Sequence, residues 1–217
     1  MRTSSVVLTL PALCLLVCLP AAVQGRGLLG ERYVDVLFGR TMVNDPAIEP
    51  IDDTISILGA DLNWPISERL DLHAEISREE LNGSDWFDVD IKATTVLGGV
   101  TYHFRPDQKT NPFILGRMGV THSEIGRSNW SMEGDSSETG VAIALGGGVE
   151  FGASEDFSVR PSLTYQRVDL DIGNADDIVL GADANYWLTR HVFALGGLGI
   201  ALEHRDITFF VGLGVGF

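Results

Sequence analysis

The chain has 217 residues, enough for one domain with a full core, and carries 15 basic against 30 acidic side chains, a net charge of −15. That balance excludes a binder of phosphate backbones, which needs a basic surface, so no nucleic-acid partner is expected. The 25 glycines sit inside apolar runs, as in Gly98-Gly99, Gly146-Gly147-Gly148 and Gly196-Gly197, where a helix would be weakened; this argues for curved β-structure rather than an α-helical protein.

Arg2 opens the chain and Val6 to Val23 is almost wholly apolar, interrupted by Pro11 and Pro20 and followed by the small residues Ala21, Ala22 and Gly25. This predicts a secretory signal peptide over 1–25 and a single domain over 26–217. No second apolar run is long enough for a membrane helix. A lipobox at Leu16-Val17-Cys18 is the other reading, and Val17 is large for that role. Both cysteines, Cys14 and Cys18, lie in the signal. The mature chain then has no disulfide, and loss of Arg2 takes its charge to −16. An exported domain of this kind can be held by the hydrogen bonds of a closed sheet. Asn82-Gly83-Ser84 and Asn129-Trp130-Ser131 match a glycosylation sequon and are read as plain loop residues.

The first strand is expected over Tyr33 to Met42, with Val34, Val36 and Phe38 on one face and Tyr33, Asp35, Leu37 and Gly39 on the other. After a loop over 44–53 with Pro46 and Pro50, Thr54 to Trp64 puts Leu58, Ala60, Leu62 and Trp64 outward and Ile57, Gly59, Asp61 and Asn63 inward. A tight turn over 65–69 leads to a third strand, where Leu70, Leu72, Ala74 and Ile76 oppose Asp71, His73, Glu75 and Ser77. A fourth strand covers about 91–104, with Val96, Val100, Tyr102 and Phe104 sharing a face. The fifth, about 112–123, has Ile114, Gly116, Met118 and Val120 outward and Arg117 inward. Following a loop over 124–137, Val141, Ile143, Leu145, Val149 and Phe151 alternate with Gly140, Ala142, Ala144 and Glu150. The seventh strand sets Phe157, Val159, Pro161, Leu163 and Tyr165 against Ser158, Arg160, Ser162, Thr164 and Gln166. Pro161 cannot donate to a ladder, which predicts a bulge there. An acidic loop is expected over 169–177, then an eighth strand with Ile178, Leu180, Ala182, Ala184 and Tyr186 outward and Asp183 inward. A ninth runs from Val192 to about Glu203.

The final stretch alternates as well. Ile207, Phe209, Val211, Leu213, Val215 and Phe217 are large and apolar, and Thr208, Phe210, Gly212, Gly214 and Gly216 lie between them. About ten strands of ten to twelve residues emerge, the length that a tilted strand needs to cross a bilayer. Short connections (65–69, 105–111, 153–156, 188–191) alternate with longer ones (44–53, 81–89, 124–137, 169–177). Trp64, Tyr102, Phe104, Phe151, Phe157, Tyr186, Trp187 and Phe217 gather at the short-turn ends and read as an aromatic girdle. A secreted β-sandwich also alternates, but has no reason to sort its loops into two length classes.

In its signal segment, alternating strands, girdle and terminal Phe217 the chain resembles the small outer-membrane β-barrel superfamily, the OmpA-like and OmpX-like domains. The resemblance implies a closed antiparallel up-and-down transmembrane barrel in the outer membrane of a Gram-negative-type bacterium, with ten strands or the eight common in that group. It implies outer-membrane lipid and lipopolysaccharide as surroundings, the barrel-assembly machinery as the reader of the last strand, and a periplasmic side at the short turns.

No catalytic, metal or cofactor motif stands out. The histidines, His73, His103, His122, His191 and His204, lack zinc spacing. His122-Ser123-Glu124 reads as an interfacial polar cluster, with a lipid- or peptide-hydrolysing barrel as the enzymatic alternative; a triad is defined by geometry, not by neighbouring letters. Asp169, Asp171, Asn174, Asp176 and Asp177 could offer oxygens to calcium but lack the full loop pattern. The inward charges are Asp35, Asp61, His73, Glu75, Arg117, Glu150, Arg160 and Asp183. Charges in a narrow lumen must pair or be hydrated. They predict a salt-bridged plug, with Arg117 and Arg160 on carboxylates such as Glu150 and Asp183, or a thin cation-preferring pore. The expected role is structural, anchoring or surface-interacting.

Overall fold

A computed structural model describes residues 27–43, 54–82, 89–127, 136–170 and 173–217. Ten strands follow in order: β1 (Tyr33–Met42), β2 (Thr54–Ser67), β3 (Leu70–Asn82), β4 (Val89–His103), β5 (Thr110–Arg127), β6 (Ser136–Gly152), β7 (Phe157–Leu170), β8 (Gly173–Trp187), β9 (Val192–Ala201) and β10 (Ile207–Gly216). Each pairs antiparallel with its sequence neighbours, and β1 pairs with β10 from Tyr33↔Gly216 to Met42↔Ile207. The ring is closed, with no free edge, which is the condition for a sheet to sit in lipid. Ten is the strand number, not eight.

The period-two pattern decides the faces. Val34, Val36, Phe38, Leu58, Leu62, Leu72, Ile76, Val96, Val100, Ile114, Met118, Val141, Leu145, Leu163, Leu180, Phe209, Val211, Leu213 and Val215 are all exposed on the outside. A water-soluble fold could not present so continuous an apolar belt. At the short-turn end Trp64 and Phe217 rings lie 6.1 Å apart and Tyr102 and Phe104 rings 5.2 Å apart, forming part of the girdle.

Three expectations change. Trp187 is not in the girdle: it faces inward, 3% exposed, against Phe193. Its parity along β8 places it with Asp183 and Asn185 rather than with Tyr186. The acidic stretch 169–177 is not a loop, because β7 runs to Leu170 and β8 begins at Gly173; cross-strand contacts such as Tyr165 with Asp176 carry the ladder outward past the apolar band. Pro161 causes no register shift. Pairing is interrupted opposite Val149 and Glu150 and resumes in the same register. The shift falls instead between Pro65 and Ser67, inside the segment expected to be the first tight turn.

The wall of β10 is thin on its inner side. A Cβ at Gly214 would lie 2.1 Å from Phe193 Cζ, and one at Gly216 2.9 Å from Trp187 Cη2. These glycines make room for rings carried by β8 and β9.

Candidate functional site: the lumen and its floor

The short-turn mouth of the barrel is crossed by the chain itself. Residues 27–31, just before β1, make a turn closed by Glu31 N donating to Leu28 O at 3.2 Å, with Gly30 at φ 80°, a conformation glycine adopts without strain. This strap is fixed to three walls. Leu28 N donates to Glu150 Oε1 on β6 at 2.9 Å, and Gly30 N to Asp71 Oδ2 on β3 at 2.9 Å. Asn63 Nδ2 on β2 donates to Glu31 O at 2.6 Å. In a ring of ten strands β6 stands opposite β1, so the strap spans the mouth. Buried carboxylates that accept backbone N–H bonds are stabilised where a bare charge would not be.

An apolar cluster of Leu28, Tyr33, Trp187 and Phe193 packs beside it, with Tyr33 and Phe193 edge to face at 5.5 Å. The polar half of the floor holds two groups. Asp71 Oδ2 also meets Asn63 Nδ2 and His103 Nε2, both at 3.0 Å. Ser158 Oγ lies 3.2 Å from Glu150 Oε1 and 2.5 Å from Asn185 Oδ1.

Above the floor lies a cavity of about 630 Å³ that reaches towards the long-loop end, past Leu29, Phe113, Arg117, Arg160, Gln166 and Thr208. Its charges sort by position. Arg160 meets Asp183 Oδ2 at 3.0 Å through Nη2 and at 3.2 Å through Nε. Arg117 meets Glu75, not Glu150, because Glu150 lies lower and faces the strap. Asp35 stands across the β1–β2 ladder from Asp61. His73 has Nδ1 3.8 Å from Asp61 Oδ2 and Nε2 2.9 Å from Thr101 Oγ1. Thr101, His73 and Asp61 thus resemble a hydroxyl–imidazole–carboxylate series. The 3.8 Å gap is too long for the hydrogen bond that orients a catalytic base, and Thr101 is buried among paired strands.

The other sequence candidates are separated by strand parity. His122 faces outward, with Nδ1 2.9 Å from Thr139 Oγ1, and Ser123 faces the lumen, so the two cannot share a substrate. Of the acidic stretch, Asp169 pairs with Arg167 at 2.7 Å and Asp176 accepts from Tyr165 Oη at 3.3 Å. Asp177 caps the last outer turn, taking His204 Nδ1 at 2.7 Å and the Glu203 and His204 N–H groups at 3.1 and 3.3 Å. The bond to Asp177 raises the His204 imidazole above its usual value. Asp171 and the signal segment lie outside the described residues, as do most of both sequons. Among the described residues no cluster of three or more His, Cys, Asp or Glu is placed to hold a metal. The strap itself escaped the sequence reading: five residues between signal and first strand carry no period.

Residues 11–196 match the outer membrane protein β-barrel domain family. The chain belongs to that family. Its place is the outer membrane. Solved structures with the same fold include the translocator domain of the autotransporter NalP from Neisseria meningitidis, with a TM-score of 0.50, 11% identity and coverage of 90% of this chain and 91% of that one. The β domain of the Bordetella autotransporter BrkA gives 0.50, 13%, 86% and 99%. Neisserial surface protein A gives 0.48, 10%, 86% and 97%. No curated protein sequence matches the chain.

Proposed function

We propose that this is a non-enzymatic anchoring or surface-interaction barrel of the outer membrane whose lumen is closed at its periplasmic mouth by residues 27–31. The observation that carries the reading is the fixing of Leu28 to Glu150 and Gly30 to Asp71, on walls away from the strap's own strand. The pairing of Arg117 with Glu75 and of Arg160 with Asp183 supports it, since paired charges brace a lumen rather than line a free path. Removal of residues 1–25 as a signal peptide would leave Arg26 as the first residue, next to the strap. Outer-membrane lipid and the barrel-assembly machinery are the partners this reading needs.

Steady conductance in planar lipid bilayers tests it. The protein should pass little or no current, and a version lacking residues 27–31 should pass clearly more. A second reading, a small cation-preferring channel, draws on the facing acids Asp35 and Asp61. A stable cation-selective current in the intact protein, altered by Arg160→Ala, would establish the channel in place of the plug.

A further inference from the structure

The strap over residues 27–31 offers backbone N–H groups to two walls, and on both the acceptor is a carboxylate. Leu28 N donates to Glu150 Oε1 on β6 and Gly30 N to Asp71 Oδ2 on β3, each at 2.9 Å. Both acceptors are withdrawn from water, with Asp71 0% and Glu150 6% exposed. The chain lies so close to Glu150 that a Cβ at Gly27 would collide with Oε2. A third wall contact, Asn63 Nδ2 to Glu31 O, is neutral on both sides. An N–H bond to an ionised carboxylate is about twice as strong as one between neutral groups. A protonated carboxyl loses that advantage and has a hydrogen of its own to place.

The groups around the two acceptors decide which titration matters. Asp71 is faced from β2 by Asn63 and from β4 by His103, whose Nε2 lies 3.0 Å away. Glu150 is faced from β5 by its register partner Asn111 and from β7 by Ser158 and by Arg160, which is close enough to feel its charge. Arg160 is engaged in turn by Asp183 on β8. The strap itself carries one charged side chain, Glu31. Arginine keeps its charge throughout the range of interest. Histidine is the first to change on acidification, at about pH 6.5, and a charged His103 would attract the Asp71 carboxylate rather than displace it.

We propose that Asp71 and Glu150 form an acid-released latch. As carboxylates they hold the strap across the mouth of the barrel, and on protonation they release it. The hold is complete while both are ionised and is lost as the pH falls through the carboxyl range, not through the histidine range. The latch rests on the reading of residues 27–31 as the closure of the lumen, and adds the condition that opens it.

Amide hydrogen exchange of the intact protein in lipid nanodiscs, followed by NMR and corrected for the intrinsic rate at each pH, reads the two bonds directly. Protection of the Leu28 and Gly30 amides should stay level from about pH 7.5 to about 5.5 and fall about tenfold or more from there to about pH 3. The ladder amides of β1 and β10 should keep their protection, and neutralisation should restore that of the strap. In the double variant Asp71→Asn, Glu150→Gln both strap amides should be about tenfold less protected already at neutral pH and lose nothing further in acid. Glu155→Gln, on an exposed turn, should respond as the intact protein does. Protection that persists in the intact protein down to about pH 3, a result that needs no variant, overturns the latch. So does a loss confined to the histidine range, a loss shared with the ladder, or a pH response that survives in the double variant. The closed-lumen reading fails separately, if a barrel lacking residues 27–31 passes no more current than the intact one at neutral pH. If it does pass more while the intact strap stays protected in acid, the latch alone falls.

Discussion

Leu28 N meets Glu150 Oε1 at 2.9 Å although 122 residues separate them along the chain. The contact ties a segment outside the sheet to the wall opposite its own strand. A hydrogen bond to a charged acceptor contributes about 1.5–3 kcal/mol, a large share of what can hold five residues in place. Glu150→Ala should therefore free the strap without opening the ladder. Trypsin cleavage after Arg32, followed on the folded protein, should quicken by about tenfold or more, with the barrel itself still protected. Unchanged cleavage would show that the strap is held by Asp71 and the apolar cluster alone.

The lipid face of β10 has a depth scale. Val211 is 65% exposed near the middle of the strand and Phe217 lies at its short-turn end. Val211→Arg should cost about 2–4 kcal/mol in folding into lipid, and Phe217→Arg about 0–1 kcal/mol. Equilibrium unfolding in denaturant from lipid vesicles measures both. Equal costs would mean that Val211 does not lie at mid-bilayer.

Inside the lumen, Asp183 takes two bonds from one guanidinium. Arg160→Ala leaves Asp183 without that partner and should lower stability by about 1–3 kcal/mol. The double change Arg160→Ala, Asp183→Ala should recover part of the loss, because the uncompensated carboxylate is then gone. Thermal unfolding in detergent reads the cycle, and strict additivity would argue against direct coupling.

At the outer end, His204 is held by Asp177, and this bond raises its pKa. A raised folded value means that the stabilisation is complete below the ordinary pKa of about 6.5 and is lost as pH rises through the folded one. Both groups are near water, so the effect on global stability is small. The sensitive measurement is the NMR titration of the His204 ring. Its midpoint should lie above that of an unpaired histidine and fall back in Asp177→Asn. Faster amide exchange at Glu203 and His204 should accompany that variant, since Asp177 holds both N–H groups.

Strand faces were legible because lipid and lumen impose opposite solvents on successive residues. The parity of Asp35, Arg117 and Asp183 follows from that alternation, and so does the closure of β1 on β10. Parity reports the face and says little about depth. Nearness to a short turn suggests the girdle for Trp187, whereas alternation along β8 puts it inside. Shared inward parity suggests an arginine partner for Glu150, yet it sits a tier lower and meets a backbone N–H. No charge pattern reveals such a partner, since every residue but proline offers that group. The stretch 169–177 looked like a loop because acidic residues avoid lipid, but the strands extend beyond the membrane and can be as polar there as water allows.

The two faces of the closing strand answer to different constraints. Outside, Val211 or Leu213 meets fluid hydrocarbon, which adapts to any apolar shape. Inside, Gly214 and Gly216 meet the fixed rings of Phe193 and Trp187, where one added carbon would lie 2.1 Å from one ring and 2.9 Å from the other. Sequence divergence along this strand should therefore run at two speeds, free exchange among apolar residues alternating with near standstill at the glycines. The evolutionary clock of β10 is set by ring packing on one side and by solvent alone on the other.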